Sequence, residues 1–443
     1  MKILDYSRLK AREFTGLSTF QILTGFRRSI VYTFLAIYLR SLGLSTTEVT
    51  LMATIGMIAN SLTQSFLWGK LLDKYRRPTE FVIIGEFFAG VGHFFMVMGY
   101  VFFLGLGQSI LAGYVIIFSL GGIEIFWSMS NVGWSALVSE LTEIDERKKI
   151  MGQFSIIGGI GGIGGAFLGG YLYDVGGFAN GAIFNIAAVV MIFSSFIVYL
   201  TIRIRNEDRE LSSGVSSSEA SPLSSLSSQL RNAYLLFIVA LVFINFGRNS
   251  IAIITGIFLN DPTGFNASGA DVAIYSNVRS IANMIAGLMV GSIISKADDN
   301  KVMATGVVSA IAGIVWLTIT PTFTLSLIAS FLQGVSEVVI SASSYSIVAK
   351  MAPKEYRGRL FAYYNTTFFL SWGIAATLIA GPIADILISQ GMSNANAYRG
   401  SFIAAIIIVL IGIVFLVVSF RYTRRNESSF NDEAKDEPIL SDD

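Results

Sequence analysis

Twelve stretches of about 20 or more mostly apolar residues follow one another along this 443-residue chain. A run of that length is what an α-helix needs to cross the hydrocarbon core of a bilayer. They lie near residues 16–39, 49–71, 80–103, 109–138, 150–173 and 178–202, then 232–259, 271–295, 301–320, 323–349, 358–388 and 399–420. Only 14% of residues are charged, against about 25% in soluble domains, so the chain lacks the polar material to coat a globule. An all-α polytopic membrane protein with twelve transmembrane helices is the expected class. The polar start, Met1 to Glu13, runs straight into a full-length span, so no cleavable signal is expected.

Composition removes several functions. There is no cysteine, hence no thiolate metal site or Cys nucleophile, and the single histidine, His93, rules out His-rich zinc sites. A net charge of +1 argues against nucleic acid as a partner. No G-x4-G-K-[ST] loop is present, which argues against an ATP-driven pump. Neither a metal nor an organic cofactor is expected, and the chain does not read as an enzyme.

The loops set an orientation. Of the 31 Lys and Arg, twenty-five lie in segments on one side, and only Arg40 and Arg399 on the other. The remaining four, Arg27, Arg28, Arg248 and Arg279, fall within spans. By the positive-inside rule both termini are expected in the cytoplasm, with the protein multi-pass in the cell membrane. Ten serines between Ser212 and Ser228 mark a cytoplasmic linker over 203–231. It separates an N-terminal half, 1–202, from a C-terminal half, 232–420, and residues 421–443 read as a disordered cytoplasmic tail.

The halves repeat each other. Glu48-Val49 through Ile58-Ala59-Asn60 matches Asp271-Val272 through Ile281-Ala282-Asn283, and Phe26-x-Arg28 matches Phe246-x-Arg248. Gly121-x-x-Glu124 matches Gly334-x-x-Glu337, and Gly170-x-x-x-Asp174 matches Gly381-x-x-x-Asp385. Two pseudo-symmetric six-helix bundles are expected.

The loop after the second span reads Gly69-Lys-Leu-Leu-Asp73-Lys74-Tyr75-Arg76-Arg77. It resembles the G-x-L-x-D-[RK]-x-x-[RK]-[RK] signature of the major facilitator superfamily (MFS). The second-half copy, Gly291-Ser-Ile-Ile-Ser295-Lys296, lacks the Asp. The resemblance implies the MFS fold and a secondary active transporter that alternates access, with Gly69, Asp73, Lys74, Arg76 and Arg77 as its gating motif. Span five holds eight glycines between Gly158 and Gly170. They partly resemble a signature of proton-coupled antiporters of that superfamily, with Ala166 in place of its proline. A small-residue face for close helix packing is the favoured reading of them.

Charges at mid-membrane cost ~2.5–3.5 kcal/mol each even on a lenient scale, so each needs a reason. In the fold resembled, spans one, four, seven and ten line the central cavity. There the sequence places Arg27 and Arg28, Glu124, Arg248 and Glu337. Adjacent arginines stand about 100° apart on a helix, and the repeat favours Arg28 as the one facing the cavity. In one reading the arginines bind an anionic group and Glu124 or, less favoured, Glu337 carries a coupling proton. In the other, Arg28–Glu124 and Arg248–Glu337 are ion pairs that fix the packing. Further substrate candidates are Tyr32, Trp127, Asn131, Ser341, Tyr345, Tyr364 and Trp372. Glu86 and His93 share a face of span three, with a proton relay as the lesser reading.

The expectation is therefore a monomeric, bilayer-embedded transporter of a small anionic or zwitterionic organic solute, with protons as the coupling ion. The alternative is a proton-coupled exporter of amphipathic drugs.

Overall fold

The computed structural model describes residues 11–142, 144–202, 228–292, 298–351 and 357–436. In the first half α1 spans Ala11–Ser41 and α2 begins at Thr46–Thr63. A π-helical turn, Gln64–Trp68, carries α2 on into Gly69–Tyr75. Then come α3 (Pro78–Gly105), α4 (Ser109–Leu141), α5 (Ile144–Asp174) and α6 (Ala182–Thr201). In the second half α7 comprises Ser228–Ser250 and Ala252–Asn260, followed by α8 (Gly269–Ser292), α9 (Asp299–Ile319) and α10 (Phe323–Met351). The eleventh helix, α11, is Arg357–Ala375, a π-turn Ala376–Ala380 and Gly381–Ser389, and α12 is Asn394–Asp436. By length and composition ten of the twelve suffice to cross a membrane, the others being α2, broken by its π-turn, and α8.

Local chemistry sets the boundaries. Ser45 and Glu48 form a reciprocal capping box that starts α2, and Arg76 in the left-handed region ends it. Pro78 sits in the first turn of α3, where its missing N–H costs nothing. Residues 203–227 of the expected linker and 437–443 of the expected tail lie outside the described residues. Residues 228–231 already belong to α7, and the expected disordered tail is helical up to Asp436. A helix nucleated by the last span propagates readily through a segment carrying Arg, Glu, Ala and Lys.

The same neighbours recur in each half. In the first, α1 packs on α5 and α6, α3 on α4 and α6, and α2 on α4. In the second, α7 packs on α11 and α12, α9 on α10 and α12, and α8 on α10. The halves meet where α5 crosses α8 and α11 crosses α2, with α1 beside α7. The hydrogen bonds described between them all lie at mid-depth or at the end far from the termini. Examples are Thr54 to the Gly373 carbonyl and Asn277 to the Ile163 carbonyl.

Span five's glycines serve packing. A Cβ on Gly161 would stand 2.0 Å from the Ile22 carbonyl oxygen, and one on Gly165 2.1 Å from that of Phe26. The backbones of α1 and α5 touch, which only glycine permits. Gly161→Val should therefore abolish the monodisperse folded peak in size-exclusion chromatography. Gly152→Val, whose Cβ meets nothing within 4 Å, should leave it intact. A Gly161→Val protein that elutes like the parent would refute the close seam.

Candidate functional site

Three helices of the first half build one cluster. Arg27 on α1 is 6% exposed and donates from Nη2 to Glu86 Oε1 on α3 at 3.1 Å. Glu86 is fully buried, and the same oxygen accepts from Ser130 Oγ of α4 at 2.9 Å. The Arg27 guanidinium lies 4.9 Å from the Trp127 ring centroid, a cation–π contact. Arg27 Nε and Glu86 Oε2 are buried without a described partner.

Glu124 on α4 is 8% exposed and is held differently. Tyr32 Oη donates to its Oε1 at 3.0 Å and Asn60 Nδ2 to its Oε2 at 2.8 Å. Arg27 and Arg28 act on it through space without a hydrogen bond. A small pocket, with about 10 Å³ of free space or room for one water-sized group, is lined by Arg27, Tyr32, His93, Glu124 and Trp127 among others. His93 Nδ1 sits 2.9 Å from the Ala89 carbonyl and must be its donor, so the neutral ring carries its lone pair on Nε2.

The second half repeats the theme with one change. Glu337 on α10 accepts from Arg279 of α8 at 2.9 and 3.2 Å. Asn283, the repeat partner of Asn60, neighbours Glu337. Arg248 on α7 is 6% exposed, makes no ion pair among the described residues and donates to Asn245 Oδ1 at 3.2 Å. Its Nε and Nη1 have no described partner.

Several expectations change. The arginine buried in the first half is Arg27, while Arg28 is exposed. The ion pairs expected as Arg28–Glu124 and Arg248–Glu337 are Arg27–Glu86 and Arg279–Glu337. Arg27 turns to the buried carboxylate that α3 offers, while Arg28 lies on the face of α1 that carries Tyr32 one turn on. Tyr364 is buried, with its hydroxyl 3.0 Å from Ser344 Oγ. Tyr345 is exposed and lies 4.7 Å from the Phe361 ring. Asn131, Ser341 and Trp372 are half-buried. Glu86 is the residue most undervalued from sequence, although a charge mid-span always demands a partner.

At the terminus-bearing end, Asp73, Lys74, Arg76 and Arg77 are all exposed. Arg77 pairs with Glu80 at 3.2 Å, and Asp73 makes no hydrogen bond or ion pair with a described residue.

Two matching six-helix halves with buried charges and a polar pocket at mid-depth define a membrane transporter rather than an enzyme. The chain belongs to the Major Facilitator Superfamily, whose sequence profile matches residues 17–376 and 262–441. It is 24% identical over 413 residues to the multi-drug resistance efflux pump PmrA of Streptococcus pneumoniae, covering 90% of this chain and 94% of that protein. It is 24% identical over 432 residues to the multidrug resistance protein MdtG of Enterobacter lignolyticus, covering 94% of each. Among solved structures, the nucleoside transporter NupG has a TM-score of 0.68 at 13% identity over 93% of this chain and 98% of that one. A bacterial homologue of the human lysosomal transporter Spinster, inward-facing and occupied, has 0.66 at 14% over 92% and 96%.

Proposed function

We propose that this transporter exports amphipathic organic compounds in exchange for protons, with Glu124 as the coupling carboxylate. The observation that carries the reading is the contrast between two acids within the spans, Glu124 buried and Glu337 half-buried. Glu337 is clamped by Arg279, whereas Glu124 has only neutral hydrogen-bond donors and borders the polar pocket. A carboxylate without a fixed cation gains or loses a proton, or meets a cationic solute, without first breaking an ion pair. The efflux-pump relatives favour export of drug-like compounds. Both termini sit in the cytoplasm by the Lys/Arg bias, the membrane is the cell membrane, and one chain suffices as the working unit.

A second reading, a small organic anion or zwitterion as solute, is favoured by Arg248. Its buried, unpartnered guanidinium nitrogens suit a carboxylate or phosphate. A thermal-shift screen of purified protein against cationic amphiphiles and small organic anions at two pH values separates the two. Stabilisation by amphiphiles supports the first, and by anions alone the second.

The exposed Asp73 supports a gating role for its loop in the opposite state of the cycle, open outward. Asp73→Asn is expected to slow exchange in liposomes at least several-fold while leaving equilibrium ligand binding nearly unchanged. Equal turnover would count against it.

A further inference from the structure

The ends of α5 and α11 carry out the same task on opposite halves. Asp174, the last residue of α5, accepts the backbone N–H of Gly269 at 2.7 Å and of Ala270 at 3.1 Å, the first two residues of α8. Asp385 on α11 accepts those of Thr46 at 2.9 Å and Thr47 at 2.8 Å, the first two residues of α2. In each case the carboxylate belongs to one half and the helix start to the other.

Both helix starts leave these donors open in the same way. In α2, Ser45 Oγ accepts from the Glu48 N–H at 3.2 Å, and Glu48 accepts from that of Ser45 at 2.7 Å. In α8, Ser268 Oγ accepts from the Asp271 N–H at 3.1 Å, and Asp271 accepts from that of Ser268 at 3.0 Å. Each capping box satisfies its own ends and leaves the first two helical N–H groups pointing outward, at the positive end of the helix dipole. The foreign carboxylate takes both.

One turn before each aspartate stands the glycine of the repeated Gly-x-x-x-Asp motif, on the same helix face. A Cβ on Gly170 would lie 2.6 Å from the Gly269 carbonyl oxygen, and one on Gly381 2.8 Å from Thr47 Cα. The glycine brings the two backbones together, and the aspartate then caps the helix it has reached. At the opposite end Asp73 is exposed.

We propose that Asp174 and Asp385 are paired positioning residues of the transport cycle: together they hold the far end shut, and releasing the starts of α8 and α2 is the step that opens it. The inference needs neither a particular solute nor proton coupling, because it concerns only the contact between halves.

The test uses the full chain in nanodiscs. Since the protein has no native cysteine, spin labels go on introduced pairs without background. Ala179→Cys with Gln390→Cys reports the far end, and Tyr75→Cys with Tyr422→Cys reports the terminus-bearing end, all four positions being exposed. Losing an N-cap side chain shifts a local equilibrium by roughly two- to thirty-fold. Asp174→Ala and Asp385→Ala should each move the far-end distances toward longer values by about that ratio. The double variant should approach the product. The Asn variants, which keep neutral oxygen acceptors, should fall between Ala and the parent. The terminus-end pair should shorten as the far end lengthens. Unchanged distributions in the double variant would overturn the proposal. So would broadening at both ends without the reciprocal shift, which marks loss of fold rather than release of a contact.

Discussion

Glu124→Gln should abolish accumulation driven by a pH gradient while preserving substrate counterflow. An electroneutral one-for-one exchange converts one pH unit, about 1.4 kcal/mol, into about tenfold accumulation. The variant should bring that ratio to about one. Glutamine retains the shape of the side chain: its carbonyl oxygen still accepts from Asn60 Nδ2 and its NH2 donates to Tyr32 Oη, whose role reverses, so binding and rocking survive while titration does not. Glu337→Gln should behave differently. Its loss leaves Arg279 half-buried without its anion, so both accumulation and counterflow should fall together. Full pH-driven transport by Glu124→Gln would assign the carboxylate on α4 a structural role.

The second large effect concerns stability. Glu86→Ala should cost about 3–5 kcal/mol, because it strands the Arg27 guanidinium in a site where neither partner reaches water. Arg27→Met/Glu86→Leu should recover most of that loss, since an apolar pair of similar volume removes both desolvation costs. Unfolding of purified protein by SDS titration in mixed micelles measures both. If Glu86→Ala is as stable as the parent, the buried pair is not a pillar of the first half. If the double variant is as unstable as Glu86→Ala, its weight lies in packing rather than in charge.

Span count and internal repeat were legible because both are long-period signals that no single residue decides. Hydropathy over some 20 residues locates a helix, and four matched motifs in order locate a duplication. Charge pairing was less legible, since it turns on which helices touch. Arg27 and Arg28 are neighbours in sequence, and only the packing of α1 against the buried Glu86 separates them. Glu337 chose Arg279 over Arg248 for the same reason: α8 presents its arginine to α10, while α7 turns Arg248 toward Asn245. The π-turns at Gln64–Trp68 and Ala376–Ala380 left no mark in the hydropathy pattern. Each inserts part of a turn and resets which residues share a face beyond it.

The seam between α1 and α5 has a mechanical consequence. Two helices in backbone contact along Gly25, Gly158, Gly161 and Gly165 have no side-chain cushion to shear, so the pair behaves as a single strut. One end of that strut carries Asp174, and its middle carries Arg27 and Tyr32. Motion at the far end therefore reaches the donors around Glu124 by rigid displacement, with no helix needing to bend along the way.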